Sequence, residues 1–224
     1  MARSLAAMAL ALFLAVSCAG SDETPAADAA ADTAADTAGS AADAPAEPAP
    51  AAEEEKPMSH YEGKVADIRT SMGTITIRFF PDEAPNHVRN FIDLAESGFY
   101  DGIRFHRVVP GFVIQGGDPN TKTDNRGAWG TGGSGKNVSA EFNDIPHKRG
   151  ILSMARSGHP DSASSQFFIV VKESPFLDGK YSVFGEVVTG MDVADQIVAA
   201  AKGKEQPDDP VTIESVTVRD QSAS

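Results

Sequence analysis

The sequence predicts an all-β-dominated domain with two α-helices, an antiparallel barrel or sandwich closed by helices, behind a long acidic N-terminal stretch. Three observations carry this. Short apolar runs, some with period-two alternation and separated by turn residues, recur from residue 64 to residue 219. Two stretches alone switch to helical spacing. Composition breaks sharply near residue 57, so the chain is read in parts. Periodicity does not choose between barrel and sandwich.

The chain has 224 residues and a formal charge of -13. Residues 1–17 hold one cation, Arg3, and an apolar run from Leu5 to Val16. That run is too short to span a bilayer and fits the apolar region of a secretory signal peptide. It ends in Leu14-Ala-Val-Ser-Cys18, which resembles a bacterial lipobox, although Ala15 stands where leucine is commoner. The resemblance implies that Cys18 is lipidated and becomes the mature N-terminus. The alternative is a buried free thiol. Cys18 is the sole cysteine, so no intramolecular disulfide forms. Residues 18–57 are read as the lipidated cysteine and a disordered linker. From residue 19 on, this stretch carries ten acids against one base, Lys56, and no large apolar residue. It cannot bury enough surface to offset its chain entropy. Its stretched reach is about 130 Å; its coil dimension is roughly 35 Å.

Residues 58–224 are long enough for one domain with a single core. Lys64–Thr70 and Thr74–Phe80 flank Ser71-Met72-Gly73 as a hairpin, with Ile75, Ile77 and Phe79 on one face. Val88, Phe91, Ile92 and Ala95 mark an amphipathic helix, with Asn86 as its expected N-cap and Gly98 closing its end. Strands are expected at Arg104–Val109 and Phe112–Gln115, then a glycine-rich loop at Gly116–Gly135. Further strands follow at Ile151–Ala155, Gln166–Val171, Val183–Val188 and Thr212–Arg219. A second helix fits Met191–Ala201, with Val193, Ile197 and Ala200 sharing a face.

Phe105-His-Arg-Val-Val-Pro-Gly-Phe-Val-Ile-Gln-Gly-Gly-Asp118 sets a guanidinium and a carboxamide among apolar strand residues around a Pro-Gly turn. Such groups must be hydrogen-bonded or face a cleft. With Gly150-Ile-Leu-Ser-Met-Ala155, Ser165-Gln-Phe-Phe-Ile169, Phe176-Leu-Asp-Gly-Lys180 and Val183-Phe-Gly-Glu-Val187, the run resembles the cyclophilin family of peptidyl-prolyl cis–trans isomerases over residues 63–219. The resemblance sharpens the fold to an eight-stranded antiparallel cyclophilin-like β-barrel capped by two α-helices.

It also implies a site. Arg107 would donate to the proline nitrogen of a twisted X–Pro amide, and Gln115 would bind the substrate carbonyl or orient Arg107. Phe112, Met154, Phe168 and Leu177 would cup the proline ring, with Val113 on the rim. Phe105, Ala155, Gln166 and Tyr181 would line the groove for the peptide backbone or the neighbouring pocket. Backbone groups around Arg156 and Ser157 would pair with extended substrate. Phe176 and Tyr181 stand where many eukaryotic members carry tryptophan and histidine, which puts cyclosporin sensitivity in doubt. A guanidinium does not titrate near neutrality, so turnover should be flat between about pH 6 and 8.

Other chemistries are disfavoured. Gly130-Thr-Gly-Gly-Ser-Gly-Lys-Asn137 nearly matches a phosphate loop, but Asn137 replaces the required hydroxyl; a wall beside the cleft fits better. The five histidines, His60, His87, His106, His147 and His159, form no pair at metal-ligand spacing, and no metal or other cofactor is expected. His106 should face away from Arg107. No serine nucleophile with a His–Asp set declares itself, and an acidic chain is a poor nucleic-acid binder. The expected protein is a monomeric isomerase and folding catalyst acting on proline-containing clients, lipid-anchored in a bacterial envelope and facing the periplasm, with the outer membrane favoured. The alternative is a proline-segment-binding scaffold with little turnover.

Overall fold

The computed structural model describes residues 56–221. The signal-like stretch, Cys18 and the acidic segment up to residue 55 lie outside the described residues. The elements are β1 (Lys64–Thr70), β2 (Gly73–Phe79), α1 (Pro85–Glu96), β3 (Arg107–Val109), β4 (Val113–Gly116), β5 (Ile151–Met154), β6 (Phe167–Val170), β7 (Val183–Thr189), α2 (Met191–Ala200) and β8 (Ile213–Asp220). The strands form one antiparallel sheet in the order β3-β4-β6-β5-β7-β2-β1-β8. It curls so that its edge strands meet. Arg104 bridges Thr212, the Phe105 N–H donates to the Val211 carbonyl at 2.9 Å, and the Ile213 N–H donates to the Ile103 carbonyl at 2.7 Å. The expected barrel-like fold with two helices is thus observed. The seam runs partly through residues outside regular strands, which is why β3 starts at Arg107 and not at Arg104.

The hairpin is tighter than expected. Thr70 pairs with Gly73, leaving Ser71-Met72 as the turn, and the Thr70 hydroxyl donates to the Gly73 carbonyl at 2.8 Å. The glycine-rich stretch is loop broken by two 3-10 turns, Pro119–Lys122 and Arg126–Ala128. The Asp118 carboxylate pins it, accepting from the Asn120 N–H at 2.8 Å and from the Gly130 N–H.

Helix α1 buries Val88, Phe91, Ile92 and Ala95, the stripe its spacing predicts, and Gly98 follows its end at φ +72. Its start differs. Ala84 is the N-cap and Pro85 the first helical residue, a position where a missing N–H costs nothing. Asn86 lies inside the helix. The capping oxygens come from Glu141, which accepts the Asn86 and His87 N–H groups at 3.0 Å each and meets His87 Nδ1 at 2.6 Å. A carboxylate here satisfies orphan donors and the positive end of the helix dipole.

Burial pushes the Glu141 carboxyl up, but hydrogen bonds from the His87 ring and from the Asn86 and His87 N–H groups outweigh it and hold it below its ordinary value. A carboxyl depressed by folding contributes stability above its unfolded pKa and loses it as pH falls through the folded value. We therefore expect Glu141→Gln to lower stability by about 1 kcal/mol near neutrality. The gap to wild type should narrow as pH falls below the ordinary carboxylate range. Urea midpoints across that range read this out, and a pH-independent gap would contradict it.

Period-two alternation divides the apolar residues between two layers. Ile114, Leu152, Met154, Phe167, Ile169 and Phe184 face the main core, which both helices also enter. Val113, Ile151, Phe168, Val170, Leu177 and Val183 form a second cluster, joined by Phe112, Ala155 and Tyr181. Phe167 and Phe168 are adjacent in β6, so they belong to opposite faces of the sheet. The second cluster is the floor on which the site is built.

Candidate active site

Above the second cluster lies a hollow of about 460 Å³. Its apolar lining is Phe112, Val113, Phe168, Phe176 and Leu177, with Arg107 and Gln115 at one side and Ala155, Arg156, Lys180 and Tyr181 at the other. Val113 and Phe168 come from the paired strands β4 and β6, and Arg107 and Gln115 are direct cross-strand partners in the β3–β4 hairpin. Phe176 is 61 % exposed and its ring lies 5.3 Å from that of Phe112, forming the outer lip.

Arg107 reaches the hollow with its guanidinium over the Phe112 ring at 5.7 Å. Its Nε donates to Glu205 Oε1 at 2.5 Å, and its two terminal amino groups have no hydrogen-bond partner among the described residues. The side chain is 38 % exposed, so this ion pair stands in solvent and is not buried away from it. The Gln115 side chain does not hydrogen-bond that of Arg107. Its amide donates to Gln166 Oε1 at 2.9 Å, and Gln166 in turn donates to the Gly130 and Gly132 carbonyls at 3.0 and 2.8 Å. The glycine-rich loop thus fixes the Gln115 carboxamide. A smaller cavity of about 170 Å³ beside the hollow is lined by Gln115, Gly130, Gly132, Arg156, Ser157 and Gln166, among others, so this loop is the wall that the sequence suggested.

Arg156 divides the two cavities. Its guanidinium donates to the Lys180, Ser157 and Gly158 carbonyls at 3.0, 3.0 and 3.3 Å and covers the Tyr181 ring at 4.9 Å. The Ala155 N–H is occupied by the Gln166 carbonyl and the Ser157 N–H by Ser162 Oγ. The Arg156 N–H is left as the unpaired main-chain donor of this stretch among the described residues.

Two expected lining residues are elsewhere. Met154 is 1 % exposed and Phe105 fully buried, both in the main core. Met154 pairs with Phe167 in the β5–β6 register, while its neighbour Ser153 pairs with Phe168, so alternation sends Met154 inward. Phe105 packs on Phe167 and beside Gly116 and supports the hairpin from within. Glu205 was missed: it lies in a charged loop 98 residues from Arg107 and carries no local signal.

The structure also assembles a set that the sequence did not reveal. His147 Nδ1 lies 2.8 Å from Asp178 Oδ1 and Nε2 lies 3.2 Å from Ser153 Oγ. Ser153 is fully buried and donates to the Ser182 carbonyl at 2.9 Å, so no substrate reaches it. The His147 ring stacks on Phe168 at 6.2 Å, which makes the set a support for the hollow. His106 is 5 % exposed; burial holds its pKa below the ordinary value, against the Asp118 charge and a hydrogen bond with the Arg104 main chain, which raise it. No group of three histidine, cysteine or acidic side chains suited to a metal occurs among the described residues.

The fold and site are those of a curled antiparallel β-barrel with an external apolar hollow rimmed by a guanidinium and a carboxamide. Residues 65–218 match the family model described as cyclophilin type peptidyl-prolyl cis-trans isomerase/CLD. The chain belongs to this family of isomerases. A peptidyl-prolyl cis-trans isomerase of Synechococcus elongatus is 47 % identical over 121 residues, covering 54 % of this chain and 78 % of that protein. The isomerase ppi1 of Schizosaccharomyces pombe is 41 % identical, covering 66 % of this chain and 94 % of that one. Among solved structures, a cyclophilin-type isomerase of Cryptosporidium parvum aligns with TM-score 0.63 at 30 % identity, over 70 % of this chain and 97 % of its own. The same enzyme has been crystallised in the presence of the dipeptide Ala-Pro.

Proposed function

We propose that the hollow accelerates X–Pro rotation by binding the twisted amide better than either planar form. Rotation about the C–N bond meets a barrier of roughly 18–20 kcal/mol because it breaks amide resonance. Uncatalysed exchange takes tens to hundreds of seconds or so. In the twisted state the proline nitrogen regains a lone pair, and a donor aimed at it lowers that state selectively. Arg107 supplies the donor. The observation that carries the reading is its guanidinium, which borders the apolar floor while its terminal N–H groups lack partners among the described residues. Phe112, Phe168 and Leu177 cup the proline ring with Val113 beside them. Gln115, with one amide N–H to spare, holds the preceding carbonyl, and the Arg156 N–H pairs with the extended substrate main chain. No bond to the substrate breaks and no proton transfer is needed. Cis–trans exchange by NMR on a short proline peptide, wild type beside Arg107→Ala, tests the reading.

The setting we propose is a bacterial envelope. The Leu5–Val16 run and Leu14-Ala-Val-Ser-Cys18 support export and lipidation at Cys18, and the acidic stretch that follows supports a tether. The domain would then serve exported proteins as they fold, from the periplasmic face of a membrane, with the outer membrane favoured because Ala19 follows the cysteine in place of aspartate. Labelled palmitate incorporated by wild type and lost in Cys18→Ala is the expected result. Equal labelling of both would remove the anchor.

A further inference from the structure

The only hydrogen bond that the Arg107 side chain makes among the described residues is to Glu205. Two features separate this contact from an incidental surface pair. The first is its atom: the carboxylate takes Nε, so the guanidinium plane is oriented while both terminal amino groups stay available. The second is its anchorage. The Glu205 carbonyl accepts the N–H of Val108, the neighbour of Arg107, at 2.7 Å, so main chain and side chain of Glu205 register together on β3. The loop beyond is held as well. Arg126 donates to the Pro207 carbonyl at 2.7 Å and to the Asp208 carbonyl, and Lys204 pairs with Asp208.

An exposed ion pair contributes little to stability, about 0–1 kcal/mol. Glu205 is 62 % exposed and Arg107 38 %, so the pair has little to offer the fold. It matters more to geometry. A flexible arginine beside an open hollow samples many rotamers, and a donor must be in place before the amide twists. We propose that Glu205 is a positioning residue that holds the Arg107 guanidinium in the orientation turnover requires. The inference rests on the reading of Arg107 as the donor, and its test keeps the two apart.

Turnover is measured by NMR exchange at saturating proline peptide, and peptide affinity by titration, on the full chain. Glu205→Ala is expected to lower turnover about tenfold, with peptide affinity within about twofold and the melting temperature nearly unchanged. Glu205→Gln, which keeps an acceptor oxygen, is expected to recover most of the loss. In an Arg107→Ala background, Glu205→Ala should have no further effect. Wild-type turnover in Glu205→Ala, faster turnover, or an equal loss with and without Arg107 would each overturn the positioning role. Full turnover in Arg107→Ala would instead overturn the donor reading. A readout independent of any variant is the Arg107 Nε–H resonance in the wild-type chain. A resolved, exchange-protected signal near neutral pH is expected, and one averaged with solvent counts against the proposal.

Discussion

Arg107→Ala lowers kcat/KM for a proline peptide by about two orders of magnitude and leaves the melting temperature within a few degrees of wild type. Both halves follow from the same geometry. The guanidinium borders the hollow without entering the core, and its ion pair with Glu205 stands in solvent. Removing it costs the fold little. On the proposed mechanism what disappears is a donor placed in advance where a lone pair develops, and a donor lost from such a position costs catalysis far more than it costs binding. Arg107→Lys should recover little. An ammonium is a point charge without the planar fork, so it can satisfy Glu205 or the substrate but does not orient one group through the other. Exchange rates with unchanged peptide affinity check this. Wild-type turnover in the alanine variant would remove the mechanism and leave a barrel that merely holds proline segments.

The second large effect is on the fold. Phe91→Ala is expected to lower unfolding free energy by about 3–5 kcal/mol. Phe91 is fully buried on α1, and its ring lies 4.9 Å from Tyr100, 5.4 Å from Phe167 and 5.6 Å from both Phe79 and Phe184. One side chain therefore joins the helix to β2, β6, β7 and the segment after α1. A void among four remaining rings collapses poorly, so the cavity adds to the lost transfer energy. The effect should reach the site. Phe167 precedes Phe168 in β6, and a loosened inner face lets the outer face shift under the hollow. Denaturant melts of Phe91→Ala and Phe91→Leu, with turnover measured below each midpoint, check both levels. A loss under about 1 kcal/mol would mean that the aromatic cluster is not what fixes α1 to the sheet.

The stripe Val88, Phe91, Ile92 and Ala95 was readable because helix neighbours lie three and four residues apart; the buried His87 beside it was not. The strand cores were readable for the same reason at period two. Arg107, Phe112 and Gln115 declared themselves as polar and aromatic groups in one short hairpin, and the structure brings them to one hollow with Phe168, Leu177 and Tyr181. Met154 and Phe105 show where motif reading stops. Each sits in a site motif, yet Met154 is turned inward by its pairing with Phe167, and Phe105, which precedes β3, is tied by its N–H to the Val211 carbonyl and packs on Phe167 in the core. The N-terminus of α1 was misplaced at Asn86 because its capping oxygens come from Glu141, 55 residues away from Asn86.

Order and type of the elements, the acidic break before the domain and the chemistry of the 105–118 hairpin are local properties, written in spacing, turn residues and side-chain type. The seam that joins β3 to the segment before β8, the glycine-loop carbonyls that hold Gln166 and through it Gln115, and the carboxylate of Glu205 on Arg107 arise only when distant stretches meet. A hydrogen bond between residues 98 positions apart leaves no trace in either neighbourhood, because each partner alone reads as an ordinary solvated charge. Chain closure sets that pair of charges beside an apolar hollow.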